Sequence, residues 1–186
     1  MQVLILFFIC LAQGSSGLPA FLSSMPGISG AGEKEREAVI RQLNVHERSE
    51  AENILAVQVP AYQVEADWIN STSIPGLCDT PELISQSGET FYGWVEGGRV
   101  CGILAVKMAD QTADIHRLVV DPAFFRRGIA GKLLDHLEKQ GGFSRIIVST
   151  GTKNLPAVSF YLKRGFSETR TIIREGISLT SFQKDM

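Results

Sequence analysis

The sequence predicts a mixed α/β domain built on one sheet, and three observations carry that prediction. Segments 90–96, 100–109 and 113–120 are strand-like and follow one another on short turns (Gly97-Gly98, then Asp110-Gln111-Thr112), the pattern of an antiparallel meander. At 128–140 the period becomes helical, with Ile129, Leu133, Leu134 and Leu137 on one face. Strands and helices then alternate toward the C-terminus, which suits a sheet covered by helices. A chain of 186 residues with 44% apolar and 20% charged residues is long enough for one core, or one core plus a tail, and excludes a disordered or fibrous chain.

Each element has its own signal. Residues 38–45 alternate loosely and read as the first strand. Residues 49–59 place Ala51, Ile54, Leu55 and Val59 at helical spacing behind Ser49 as N-cap, and Pro60 is expected to end that helix. A second short helix is expected over 62–69 and a loop over 70–79. A third helix starts at Thr80-Pro81-Glu82, with Pro81 in the first turn. The meander follows and ends at Asp121-Pro122. After the 128–140 helix, Gly141-Gly142 stops the chain, 144–150 is a strand, and 154–164 is a helix closed by Gly165. Strands 168–174 and 177–182 flank Glu175-Gly176.

The front end differs from the rest. All 38 charged residues fall after Gly32. Residues 3–12 form an unbroken apolar run of half the length that spans a bilayer, so no stable membrane span is expected. The run suits a signal-peptide core, with 12–14 as a small-x-small cleavage site, although no Lys or Arg precedes it. A start lower down, for instance at Met25, and a genuine uncleaved tail stay open beside it. Residues 15–32 are rich in Ser, Gly and Pro and read as a linker. The expected division is therefore a tail over 1–37 and a folded domain over 38–186.

Net charge is −2, which speaks against nucleic acid as a partner. Three scattered cysteines and three distant histidines offer neither a disulfide scaffold nor a metal site. The strongest chemical signal is the segment around Arg126-Arg127-Gly128-Ile129-Ala130-Gly131, which opens a helix directly after a strand. The first amides of a helix lack internal partners and sit at the positive end of its dipole. Small residues at 128, 130 and 131 let a bulky anion approach, and two arginines add charge, so the segment suits a pyrophosphate. The same glycines also suit tight helix-on-sheet packing, with both arginines merely solvated. Neither GxGxxG nor GxxxxGK[ST] occurs.

This segment resembles motif A of the GNAT superfamily of N-acetyltransferases, [Arg/Gln]-x-x-Gly-x-[Gly/Ala], with Phe125 standing in place of the Arg or Gln. Leu118-Val119-Val120-Asp121-Pro122 is similar to the family's fourth strand and its exit. Asn154-x-x-Ala157-x-x-Phe160-Tyr161-x-x-x-Gly165-Phe166 is similar to its second motif. The resemblance runs from about residue 39 to the C-terminus and is densest over 113–166. It implies a mostly antiparallel sheet of six or seven strands, the fourth and fifth splayed, flanked by about four helices. It implies acetyl-CoA as co-substrate and no metal. The amides of Arg126, Arg127, Gly128, Ile129, Ala130 and Gly131 would meet the pyrophosphate, and Leu118, Val119 and Val120 would pair with the pantetheine arm as an added strand. An N–H near Val119 would polarise the thioester, and Asn154 would bond the pantetheine amides or order the loop.

The implied reaction is direct attack of a primary amine on the thioester. Tyr161 matches the family's general acid; it is also placed as a core aromatic. His116 stands where many members have Glu and is the candidate base, with a ring that accepts a proton near neutrality. Strict alternation would put Asp114, His116 and Leu118 on one face, so Asp114 would orient His116 or replace it, or water would act. The acceptor is expected to be a small-molecule or peptide amine, with Tyr62 and Trp68 as pocket-lining candidates. The oligomeric state stays open, a homodimer included. A cytosolic co-substrate implies a cytoplasmic protein, or an exported one if 3–14 is a real signal. The competing function is a catalytically silent acyl-CoA-binding regulatory domain.

Overall fold

A computed structural model describes residues 37–69, 75–174 and 176–186. The apolar run, the linker, part of the 70–79 loop and the side chain of Trp68 lie outside the described residues. Among the described residues seven strands form one sheet: β1 (Ala38–Leu43), β2 (Thr90–Glu96), β3 (Arg99–Ala109), β4 (Thr112–Val120), β5 (Arg145–Gly151), β6 (Ser167–Arg174) and β7 (Ile177–Asp185). Their spatial order is β1-β2-β3-β4-β5-β7-β6. Every neighbouring pair is antiparallel except β4 and β5. The described α-helices that cover the sheet are α1 (Arg48–Ile69), α2 (Pro81–Gln86), α3 (Ile129–Gln140) and α4 (Leu155–Lys163).

Both faces of the sheet are covered. On one, Ala51, Ile54 and Val57 of α1 and Ile84 of α2 pack on Phe91, Val95, Ile103 and Ala105. On the other, Ile129, Leu133, Leu134 and Leu137 of α3 and Tyr161 of α4 pack on Leu104, Val106, Ile146 and Val148. Burying each such aliphatic side chain is worth about 1.5–3 kcal/mol, so α3 is held by its apolar stripe. Gly102 of β3 lets α3 sit close, because a Cβ there would press on Ile129.

The expected break at Pro60 does not occur: α1 is one 22-residue helix that starts at Arg48, before Ser49. Pro60 removes the N–H that would reach the Ala56 carbonyl, but both residues are exposed, so water can serve that carbonyl. Buried Val57 before the proline and Ala61 and Ala66 after it keep both halves docked.

Two irregularities shape the sheet. First, β4 and β5 pair only over Thr112–Ile115 and Arg145–Val148. Beyond, β4 runs on to Val120 beside β3, and β5 runs on to Gly151 beside β7, so the two strands part. Second, β4 carries a bulge. Val106 faces Ile115 and Ala105 faces Arg117, which leaves His116 without a residue opposite. The extra residue shifts the alternation. Ala113 and Ile115 face the α3 core, and after the bulge it is Leu118 and Val120 that do so, while Val119 packs on the α1 side. The expected grouping of Leu118 with Asp114 and His116 is therefore wrong, because alternation counts residues and a bulge adds one.

Candidate active site

The parting of β4 and β5 opens beside the start of α3. Asp121 ends β4: its Oδ1 accepts from the Ala123 N–H at 2.9 Å, and its other oxygen accepts from Arg99. A short 3-10 turn, Pro122–Phe124, follows. The guanidinium groups of Arg99 and Arg127 both approach the Phe124 ring, 5.2 and 5.1 Å from its centroid. Arg126 (φ +63°) and Gly128 (φ +76°) adopt left-handed backbone, and among the described residues no side chain caps α3. The N–H groups of Ile129, Ala130 and Gly131 thus have neither an intrahelical acceptor nor a capping side chain.

The motif residues divide by role. Arg126 is exposed, whereas Arg127 reaches Glu96 through one nitrogen at 2.9 and 3.0 Å and holds that carboxyl below its ordinary range. Gly131 departs from the expectation that its small size admits an anion. The space a Cβ would fill is taken by the Arg164 guanidinium, which donates to Asp135 at 2.7 Å. Its amide remains available while its missing side chain serves helix packing. The fit to a diphosphate therefore rests on uncapped amides at the positive end of a three-turn helix, with Arg126 exposed beside them.

Asn154 and Tyr161 come from the far wall. Asn154 caps α4, its Oδ1 accepting from the Ala157 N–H at 3.1 Å, and its Nδ2 donates to Glu65 of α1 at 2.9 Å. The side chain thus joins the first turn of α4 to α1. Tyr161 is 5% exposed and its ring meets Phe160, Phe166 and Phe182. Burial, then the charge of Glu65 and the neighbouring Tyr62, push its hydroxyl pKa up, so it holds its proton across the neutral range. Tyr62, half-buried beside Ala66, Leu77 and Ile177, is tied electrostatically to Arg117, Glu65, Asp79 and Glu89.

His116 sits in a polar network that reaches back to α1. Its Nδ1 lies 2.9 Å from Glu89 Oε1 and its Nε2 3.5 Å from Asp114 Oδ2. Hydrogen bonding to Asp114, then to Glu89, raises its pKa from 6.5 to about 9 despite burial. The ring therefore carries a proton at pH 7, unlike the near-neutral imidazole expected. Arg117 donates to Glu89 at 2.7 Å, to Gln58 at 2.7 Å, and to Asp79. Burial raises the Glu89 carboxyl, but the bonds from His116 and Arg117 outweigh it and leave the group below its ordinary value. The sequence reading missed Glu65, Glu89, Arg117, Gln58 and Asp79. The available signal was Arg117 itself, a guanidinium inside a strand that needed buried partners.

Among the described residues no group of His, Cys, Asp and Glu is arranged to hold a metal ion, and no helix is long and apolar enough to cross a membrane.

A seven-stranded sheet that parts between β4 and β5, with an uncapped helix start at the opening, belongs to a known class. The acetyltransferase (GNAT) family model matches residues 39–166, and the chain belongs to that family. It is 36% identical over 149 residues to the UPF0157 protein YqkA of Bacillus subtilis (strain 168), covering 77% of this chain and 43% of that protein. The chain thus spans less than half the length of that relative. Its fold is similar to the ribosomal-protein-S18-alanine N-acetyltransferase from Escherichia coli (TM-score 0.64, 15% identity, 80% of this chain and 94% of that one). It is also similar to the PaiA N-acetyltransferase from Thermoplasma acidophilum in complex with coenzyme A (TM-score 0.61, 20% identity, 81% and 99%).

Proposed function

We propose that the chain moves an acetyl group from acetyl-CoA to a primary amine by direct attack. The observation that carries this reading is the parting of β4 and β5 past Ile115 and Val148 with α3 starting uncapped after β4; His116 lies on the parted stretch of β4, and Tyr161 on the helix that follows β5. Acetyl-CoA, when bound, supplies the activated acyl carbon and a thiolate leaving group. The amides from Arg126 to Gly131 hold its diphosphate, and the edge of β4 at Leu118, Val119 and Val120 takes its pantetheine arm as an added strand. An N–H near Val119 polarises the carbonyl. Asn154 keeps the α4 entrance in shape.

In the reaction a C–N bond forms as the C–S bond breaks. Tyr161 donates its proton toward the departing sulfur. The amine's proton goes to His116 in its neutral form, with Asp114 beside Nε2 to take the charge. A ring titrating near 9 is neutral in only about one molecule in a hundred at pH 7, so kcat/KM should rise with pH until about 9. The acceptor is a small-molecule or peptide amine, and the reading places the working protein in the cytoplasm, where its co-substrate is.

Calorimetric titration with acetyl-CoA and a thiol-release screen over an amine panel test this. Tight binding with turnover on at least one amine is expected. Tyr161→Phe should lower kcat by about 10²-fold or more and leave coenzyme affinity unchanged. Binding with no turnover on any amine favours the silent acyl-CoA-binding domain, and no binding by folded protein overturns both.

A further inference from the structure

We infer that Glu89 is a positioning residue of the proposed transfer: from its place just ahead of β2 it clamps the His116 ring at the β4 bulge, with Nε2 turned to Asp114. The inference rests on the acetyl-transfer reading for its catalytic half. Its structural half rests on the ladder. His116 has no residue opposite it on β3, so strand pairing does not restrain it as it restrains its neighbours. Something else must fix the ring, and Glu89 does so from outside the ladder.

The clamp is built in sequence. Gly88 takes φ +67°, and the Glu89 N–H donates to Ser87 Oγ at 3.2 Å, which fixes the backbone that presents the carboxylate. The Glu89 side chain is 6% exposed and uses both oxygens, Oε1 on His116 at 2.9 Å and Oε2 on the Arg117 Nε–H at 2.7 Å. Arg117 cannot swing away, because Gln58 and Asp79 also hold it. Gln58 is fully buried and donates to the Gly76 carbonyl at 2.8 Å and to Asp79 at 2.7 Å. The ring orientation is thus referred through two consecutive residues of β4 to helix α1 and the 76–79 segment. With Nδ1 on Glu89, Nε2 is left as the nitrogen that exchanges a proton.

Glu89, just ahead of β2, and Asp114 of β4 face the ring itself. The other charged or titratable groups belong to the network behind them: Arg117 follows on β4, Lys107 lies opposite Asp114 on β3, Asp79 follows the 3-10 turn Pro75–Cys78, and Tyr62 and Glu65 come from α1. Glu89→Gln removes one of the two carboxylates that touch the imidazole.

The test follows the His116 ring by NMR across pH, with His46 and His136 as internal references, beside the pH profile of kcat/KM. In the unaltered protein the ring should titrate near 9. In Glu89→Gln it should titrate lower by about one pH unit or more, with the rising limb of kcat/KM moving by the same amount. Glu89→Asp keeps the charge but shortens the reach. It should retain most of the raised titration and lose kcat, and it stands in should Glu89→Gln not fold. A ring titration unchanged in Glu89→Gln overturns the inference, as does a ring that moves while the rate profile stays. A ring that moves in a protein with no acetyl transfer at any pH overturns the functional reading and the catalytic half of this inference with it.

Discussion

Gly128 turns the chain into α3 at φ +76°, in space where a Cβ would meet nothing. A side chain there is opposed by backbone conformation alone, at a cost of about 1–2 kcal/mol. Gly128→Ala should therefore lower the melting temperature modestly in a thermal scan. Calorimetry should show weaker acetyl-CoA binding if the first amides of α3 take the diphosphate. Gly131 is the opposite case, a glycine whose added methyl would collide with Arg164. The sequence places both glycines in one motif; only the Arg164 side chain, 33 positions on, separates their roles. His116 teaches a related lesson. Its type marks it as a proton carrier, but a ring held by two carboxylates is more basic than its type suggests, and Glu89 is 27 residues away.

Among elements, α3 and the β2–β3–β4 meander are legible because their signals are local: four aliphatic positions at helical spacing, and glycine or polar turns between alternating segments. The continuity of α1 is not legible, since Pro60 is a valid stop signal that buried Val57 and Ala61 override. The β4 bulge is not legible either, because it is a property of the β3–β4 register rather than of either strand. Asn154 belongs at this scale, as it both caps α4 and reaches α1. Asn154→Ala should cost about 1 kcal/mol for the cap. The chemical denaturation midpoint should record it, with a further loss from freeing Glu65. Asn154→Ser should recover the cap and leave the Glu65 link broken.

For the whole molecule, the network around Arg117 ties stability to pH. His116 has a folded pKa of about 9 against an ordinary 6.5. Its contribution is complete below 6.5 and disappears as pH rises through 9. Glu89 has a lowered folded value, so its contribution is present above its ordinary 4.5 and disappears as pH falls through the folded value. Melting temperature should accordingly be highest between about pH 4.5 and 6.5 and decline toward pH 9. In His116→Gln the alkaline decline should shrink.

The short β4–β5 pairing has one more consequence. Four residue pairs are the main-chain seam between a β1-to-β4 half and a β5-β7-β6 half. Past that seam, among the described residues, no strand lies between the rims at 116–120 and 149–151. A pantetheine arm lying there would act as a zipper across the cleft, so deuterium uptake at 116–120 should slow on adding coenzyme A while uptake within the β1–β2 pair stays as it was. The co-substrate would then be a stitch that closes the architecture as well as the reagent it consumes.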